Sequence, residues 1–240
     1  MVKNAMILAA GLGTRMRPLT DTLPKPLISV AGKSMLQRAF QHLKEAHVSN
    51  IVVNAHYLAP LVEDHVRSLC PHARISHEDI LLETGGGIKK ALPLLGSDPF
   101  FVLNGDSIWK GPNSLKEMKE KWYGKTMEAL LLLVPREKAY GYEGLGDFHM
   151  DFNGRLYRPS QGKEAPYVYI GAQLIDPHLF HQAPSGPFSM NLLWNKALEN
   201  GRLYGHIHQG EWFHISTPQD LEKYEPKIAF TQASDNTLDR

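Results

Sequence analysis

Residues 6–27, MILAAGLGTRMRPLTDTLPKPL, turn from an apolar run into a loop that gathers Gly11, Gly13, Thr14, Arg15, Arg17 and Lys25. A polyphosphate presents several negative oxygens close together. Backbone N–H groups reach such oxygens only where side chains are absent, which is where glycine serves. Arg15 adds a planar fork of donors and Lys25 a point charge. The prolines of LPKPL stiffen the loop. The stretch is not a Walker loop, because GxxxxGK[ST] is missing. It is not a dinucleotide fingerprint either, because Met16 stands where the third glycine of GxGxxG would fall.

Three further stretches carry groups that could join this loop. LNGD ends in Asp106, a hard oxygen ligand suited to Mg²⁺, although an aspartate ending a strand is otherwise a turn former or helix cap. ETGGG places Glu83, Thr84 and Gly85 at a helix start. Its N–H groups could meet a ribose or base edge, or its glycines could let the helix pack closely. Asn54 and His56 follow a strand and could line a base pocket or serve turn chemistry.

The elements that position these residues alternate. Short apolar runs at 5–9, NIVVNA (50–55), ARISH (73–77), PFFVLNGD (99–106) and EALLLLVP (128–135) predict strands. Between them lie helical patterns: one capped by Ser34 and running to about His47, one with Pro60 in its first turn, one from TGGG, and one near 113–123. Apolar, non-alternating strands separated by helices predict a mostly parallel sheet covered on both faces, a Rossmann-like α/β fold. In such sheets ligands bind at the carboxyl ends of the strands. The Gly11 loop, Asn54, Glu83–Gly87 and Asp106 all fall at or beyond strand ends, so one crevice could hold them.

After about residue 140 the pattern changes. Phe148, Met150 and Phe152 alternate before Asn153-Gly154, a hairpin signal. YVYIGAQLID (167–176), RLYGHIH and WFHI read as strands and FSMNLLWNKALEN as a helix. The expectation is one domain over 1–227. Its first half spans about 1–135, an inserted antiparallel lobe about 136–210 covers the crevice, and 228–240 forms a flexible tail.

Composition sets limits. Hydrophobic content of 42% and charged content of 21% are those of a globular protein. The formal net charge of +1 favours neither nucleic acid nor an anionic membrane, so any anion site is local. Cys70 is the only cysteine, which excludes a disulfide framework and points to a reducing compartment. It reads as a small buried residue ending a helix. No stretch approaches the roughly 20 apolar residues that span a bilayer, and AMILAA lacks the flanks of a signal peptide. The expected location is the cytoplasm.

AAGLGTRMRPLTDTLPKPL (9–27) matches the signature G-x-G-T-R-[ML]-x-P-L-T followed by P-K-P-L. By it the chain resembles the sugar-1-phosphate nucleotidyltransferases over about residues 3–225. LETGGGIKKALPLLG and VLNGD are most similar to the bacterial N-acetylmuramate-1-phosphate uridylyltransferases of peptidoglycan recycling. The resemblance implies that a sugar phosphate oxygen attacks the α-phosphorus of a nucleoside triphosphate, with UTP favoured, and that pyrophosphate leaves. Catalysis is then in-line positioning and charge neutralisation, with a divalent metal, Mg²⁺ first, bridging phosphates.

The resemblance also implies residue roles. Arg15 would hold the pyrophosphate and Lys25 would bridge the α-phosphate and the sugar phosphate. The backbone from Leu8 through Ala10 to Gly13 would cradle the nucleotide. Asp106 would hold metal. Asn104, Gly146, Asp147, Gly171 and Gln173 fall where the family binds sugar, although hairpin and strand roles also explain them. Relatives place a second metal aspartate in W-x-D-x-G-T, whereas this chain reads WFHIST with His214 there. Imidazole suits Mn²⁺ or another softer divalent metal better than Mg²⁺. His214 could ligate such a metal, water could fill the position, or turnover could be low. Two alternatives therefore stand beside uridylyl transfer: guanylyl transfer to a mannose- or heptose-type 1-phosphate, and a nucleotide-binding protein of low turnover.

Overall fold

The computed structural model describes residues 2–238, with side chains described through Phe230. Seven strands form the central sheet: β1 (Asn4–Leu8), β2 (Asn50–Ala55), β3 (Arg74–His77), β4 (Phe100–Asn104), β5 (Ala129–Pro135), β6 (Tyr167–Ile175) and β7 (Leu203–Ile207), in the spatial order β7-β5-β6-β4-β1-β2-β3. Every neighbouring pair is parallel except the two that β6 makes, with β4 and with β5. The apolar runs are buried almost without break in β1, β4 and β5, as a sheet covered on both faces requires.

The side chains of each strand divide by parity. Ala5, Ile7, Phe101, Leu103, Leu130 and Leu132 pack with Leu36, Phe40, Val62, Val66, Leu115 and Met118. These belong to α1 (Met35–Glu45), α2 (Ala59–Leu69) and α4 (Ser114–Lys121). Met6, Phe100, Val102, Leu131 and Leu133 pack on the other face with Ile88, Ala91, Leu193 and Trp194. Those lie on α3 (Glu83–Leu95) and α5 (Asn191–Glu199). Ser34 caps α1 as expected: its hydroxyl accepts from the Gln37 N–H at 2.9 Å, a contact whose loss to Ala costs about 1 kcal/mol. Cys70 does end α2, but half-buried rather than buried.

The register sets up the site. Leu8 pairs with Asn104 at the carboxyl ends of β1 and β4. β1 has β2 on one side and β4 on the other, so the chain reverses its order across the sheet there, and a crevice opens where strands leave in opposite directions.

The second half of the chain completes this sheet rather than standing apart from it. β6 inserts antiparallel between β4 and β5, and β7 extends the far edge. Outside the central sheet this half contributes the short hairpin of His149–Met150 and Leu156–Tyr157 and two strands of a small separate sheet. The hairpin's turn is the Asn153-Gly154 turn expected, with Asp151 Oδ1 accepting from the Asn153 and Arg155 N–H groups. Phe152, expected on the apolar face with Phe148, is 98% exposed, because the chain has already begun to turn at Asp151.

A small sheet of Ile108–Lys110, Glu211–Phe213 and Ala139–Tyr140 packs with the loop after β1. Met16, Ile28, Val30, Met35, Phe213, Ile215 and Ile228 form one buried cluster there. Ile228 belongs to α6 (Pro218–Leu238). The tail expected over 228–240 is thus helical as far as Leu238 and begins with a fully buried residue. Asp239 and Arg240 lie outside the described residues.

Candidate active site

A crevice of about 460 Å³ opens at the carboxyl ends of β1, β2 and β4. It is lined by Leu8, Ala10, Gly11, Gly13, Thr14 and Arg15 of the loop after β1, by Lys25, Asn104 and Asp106, and by Asn54, Glu83 and Thr84. The expected phosphate loop and strand ends therefore do share one site.

The loop is shaped to bring charge inward. Gly13 has φ +62°, and a Cβ there would lie 3.0 Å from both Lys25 Cβ and Thr20 Cγ2, so this position favours glycine by conformation and by space. Thr20 Oγ1 donates to the Gly13 carbonyl at 2.8 Å and closes the turn. A Cβ on Gly11 would meet no protein atom within 4 Å. The space beside it is open to a ligand.

Lys25 is nearly buried, and its Nζ lies 2.6 Å from Asp106 Oδ2. Burial works to raise the Asp106 carboxyl. The charge and hydrogen bond of Lys25, with His214 nearby, outweigh burial and hold it below the usual carboxylate range. Burial lowers His214, and Lys25 and Arg15 lower it further, so its imidazole is neutral at pH 7. His214 does not line the crevice. Its backbone N–H donates to the Tyr140 carbonyl at 2.8 Å, and its ring lies against Trp212. Among the described residues no three His, Cys, Asp or Glu side chains cluster as a metal site. The donor set fits a hard divalent cation that takes one protein carboxylate, Asp106, and completes its shell with phosphate oxygens and water.

Asn54 is a strut as much as a wall. Its Oδ1 accepts from the Ala9 N–H at 2.7 Å, and its Nδ2 donates to Glu78 Oε1 at 2.7 Å. Glu78 Oε2 accepts from the Leu82 N–H. This buried chain ties the end of β1 to the start of α3. Of the two roles open to His56, a base pocket or turn chemistry, the structure shows the second: it does not line the crevice and pairs its Nδ1 with the Glu78 carbonyl. Glu78 was not anticipated from sequence, yet it directly follows the third strand, the same position rule that pointed to Asp106.

At the start of α3, Thr84 lines the crevice and its Oγ1 accepts from the Met190 N–H at 2.9 Å. Gly85 does not line it. The N–H groups of Gly85 and Gly86 both donate to the Phe188 carbonyl, at 2.8 and 3.1 Å, and a Cβ on Gly85 would collide with the Phe188 ring. These glycines serve close packing, so the expected N–H contact from Gly85 to a nucleotide is not what the geometry offers.

A second cavity of about 320 Å³ shares Leu8, Thr84, Asn104 and Ser189 with the first. Of the five expected sugar residues, Asn104, Asp147 and Gln173 line it. Gly146 and Gly171 stand behind the wall. Gly171 backs onto Asn104, where a Cβ would lie 3.0 Å from Asn104 Cβ, and Gly146 backs onto the Ala165 carbonyl. Asp147 Oδ2 accepts from the Tyr169 N–H at 2.8 Å, and burial pushes its carboxyl up. Gln173 Oε1 accepts from Trp194 Nε1 at 2.8 Å. The Tyr169 hydroxyl is buried without a partner. Tyr169, Trp194, Ser189 and Arg158 were not anticipated here; they come from three separate segments that no local motif connects.

No helix among the described residues is long and apolar enough to cross a membrane. The model of the nucleotidyl transferase family matches residues 4–229. The chain is 40% identical over 235 residues to an N-acetylmuramate alpha-1-phosphate uridylyltransferase of Caulobacter vibrioides, covering 95% of this chain and 97% of that one. It is 33% identical over 219 residues to the enzyme of the same name from Neisseria meningitidis serogroup B, covering 89% and 93%. Its fold superposes on a UDP-glucose pyrophosphorylase complexed with UDP-glucose with a TM-score of 0.79, covering 96% and 100% at 17% identity. By the match of the family model over nearly the whole chain and the identity to the two uridylyltransferases, the chain belongs to the nucleotidyl transferase family, among its sugar-1-phosphate nucleotidyltransferases.

Proposed function

We propose that the protein transfers a uridylyl group from UTP to N-acetylmuramate 1-phosphate in the cytoplasm, releasing pyrophosphate. The observation that carries the reading is the junction of the two cavities. Asn104 and Thr84 line both, and the Lys25–Asp106 pair lies two residues beyond Asn104. A triphosphate in the first cavity and a sugar in the second would meet at their phosphates beside Lys25. The similarity to the two uridylyltransferases supports the base and the sugar.

The roles follow from charge and position. Arg15, exposed on the loop, would hold the leaving pyrophosphate. Lys25, fixed by Asp106, would neutralise the oxygens of both reacting phosphates as their separation shortens. Preorganised charge of this kind needs no rearrangement when the bond changes. Asn104 would orient the sugar. Asp106 would hold a divalent cation, Mg²⁺ or Mn²⁺, which when bound supplies further neutralisation of the triphosphate. His214 stands within electrostatic reach of Asp106 and would tune which cation is preferred.

Pyrophosphate release from UTP, dTTP, GTP, CTP and ATP, each with a panel of sugar 1-phosphates in Mg²⁺ and in Mn²⁺, tests this reading. Turnover confined to UTP with N-acetylmuramate 1-phosphate is expected. Turnover with GTP and a mannose-type phosphate would replace it with guanylyl transfer. Tight nucleotide binding without pyrophosphate release would replace it with a binding protein.

A further inference from the structure

The hairpin delivers Arg158 to the wall of the second cavity, just past Tyr157. Its guanidinium lies over the Phe148 ring, 4.3 Å from the centroid. Its Nη2 donates to Asn191 Oδ1. Phe148 is fully buried, so the guanidinium rests on a fixed platform and Asn191 sets the plane of the fork. No acidic side chain among the described residues forms an ion pair with it; Asp147 acts on it only through space. The arginine is thus held in place while most of its donors stay uncommitted.

A neutral sugar does not need such a group. A fixed guanidinium beside a cavity is matched by a planar anion that can take two parallel N–H donors, a carboxylate above all. On the roles proposed above the substrate's own phosphate is not that anion, because Arg15 and Lys25, which line the first cavity and not the second, would serve the phosphates there. The anion must sit on the sugar ring away from C1. Tyr169, on the same wall, presents a buried hydroxyl with no partner, a second donor for an oxygen in this space. Asp147 does not occupy the fork: its Oδ2 accepts from the Tyr169 N–H and its Oδ1 from the Tyr142 hydroxyl at 3.5 Å, and it forms no ion pair with Arg158.

We propose that Arg158 is a specificity-determining residue: its guanidinium takes a carboxylate carried as a lactyl ether on the sugar ring, so the second cavity selects an acidic sugar 1-phosphate over its neutral parent. This rests on the sugar assignment made above and names the side chain that enforces it. Muramate is N-acetylglucosamine plus that ether, so the two sugar phosphates differ by the group in question alone.

The test is kcat/KM of wild type, Arg158→Ala and Arg158→Lys with UTP and either N-acetylmuramate 1-phosphate or N-acetylglucosamine 1-phosphate. Thermal melts of each variant accompany the kinetics. Wild type is expected to prefer the acidic sugar. Arg158→Ala should cut that preference at least tenfold, through KM for the acidic sugar, and Arg158→Lys should fall between, keeping charge without the fork. An unchanged preference in Arg158→Ala overturns the role of Arg158 and leaves the uridylyl assignment standing. Equal losses with both sugars also overturn it, because a merely structural role acts on both. A wild-type enzyme that favours the neutral sugar, or turns over neither, overturns the sugar assignment and this inference together.

Discussion

The two cavities touch at Leu8, Thr84, Asn104 and Ser189, yet they are built in opposite ways. The first is made of backbone and charge. A glycine turn, an exposed arginine and one lysine–aspartate pair lie on segments that directly follow strands. The second is made of side-chain surfaces: Phe148, Tyr169, Met190 and Trp194, with Gln173 locked to the Trp194 indole and its cation, Arg158, laid over the Phe148 ring. Phosphate is the same anion whatever it is attached to, so a local loop suffices to bind it. A sugar is told apart by a few hydroxyls and substituents, and that takes surfaces from several segments.

The sharpest way to break this comparison is at Lys25. Lys25→Ala removes the cation bonded to Asp106, and with it the charge proposed to serve both reacting phosphates. kcat/KM should fall about 10³-fold, or about 4 kcal/mol of transition-state stabilisation, with either sugar tried. Steady-state pyrophosphate release reads this directly. A variant within tenfold of wild type would show that charge does not define the first cavity.

Arg15→Ala comes next. Arg15 is exposed and shares no ion pair with Asp106, so its loss should leave the melting temperature unchanged. A fall of about 10²-fold in kcat/KM is expected, close to 2.7 kcal/mol, in the range for one donor to a charged transition state. The effect should grow with the charge of the nucleotide and ignore the sugar. A loss that depends on the sugar instead would place Arg15 in the second cavity's work.

These differences also explain what the amino-acid pattern discloses. β1, β2 and β4 are read from apolar runs that stop at glycine, asparagine or aspartate, and the first cavity forms at those stops. Its lining is therefore legible at Gly13, Arg15, Lys25 and Asp106, and Glu78 obeys the same rule. The second cavity depends on pairings of long sequence separation. Nothing near Tyr167–Ile175 reveals that this strand slides between β4 and β5, or that Gly171 backs onto Asn104. Gly85 looked like a ligand N–H because the partner that takes it, Phe188, lies about a hundred residues downstream.

Gly85 offers a third test, on the wall between the cavities. A methyl group there meets the Phe188 ring and carbonyl, and α3 must shift from the segment that carries Ser189 and Met190. Overpacking of this kind costs about 1–3 kcal/mol. A chain of this length should lose roughly 2–4 °C of melting temperature for each kcal/mol. Gly85→Ala should raise KM for both substrates, since Thr84 and Ser189 face both cavities. A melting temperature equal to wild type would mean that Phe188 yields freely and that the glycine is not there for packing.

The smallest expected effect is the most local. His214 stands where the family signature carries an aspartate, and its neutral imidazole faces the field of Asp106, Lys25 and Arg15. His214→Asp would set a second carboxylate beside Asp106, a donor set that favours Mg²⁺ over softer ions. Lys25 and Arg15 supply the positive charge that keeps two carboxylates ionised together. The ratio of rates in Mg²⁺ and Mn²⁺ should therefore move several-fold toward Mg²⁺. The discrimination between sugars should not move, because that belongs to the other cavity. If the metal ratio stays fixed while the sugar preference changes, His214 acts through the small sheet under the loop rather than through the cation, and the division between a charge-built and a surface-built cavity fails at that residue.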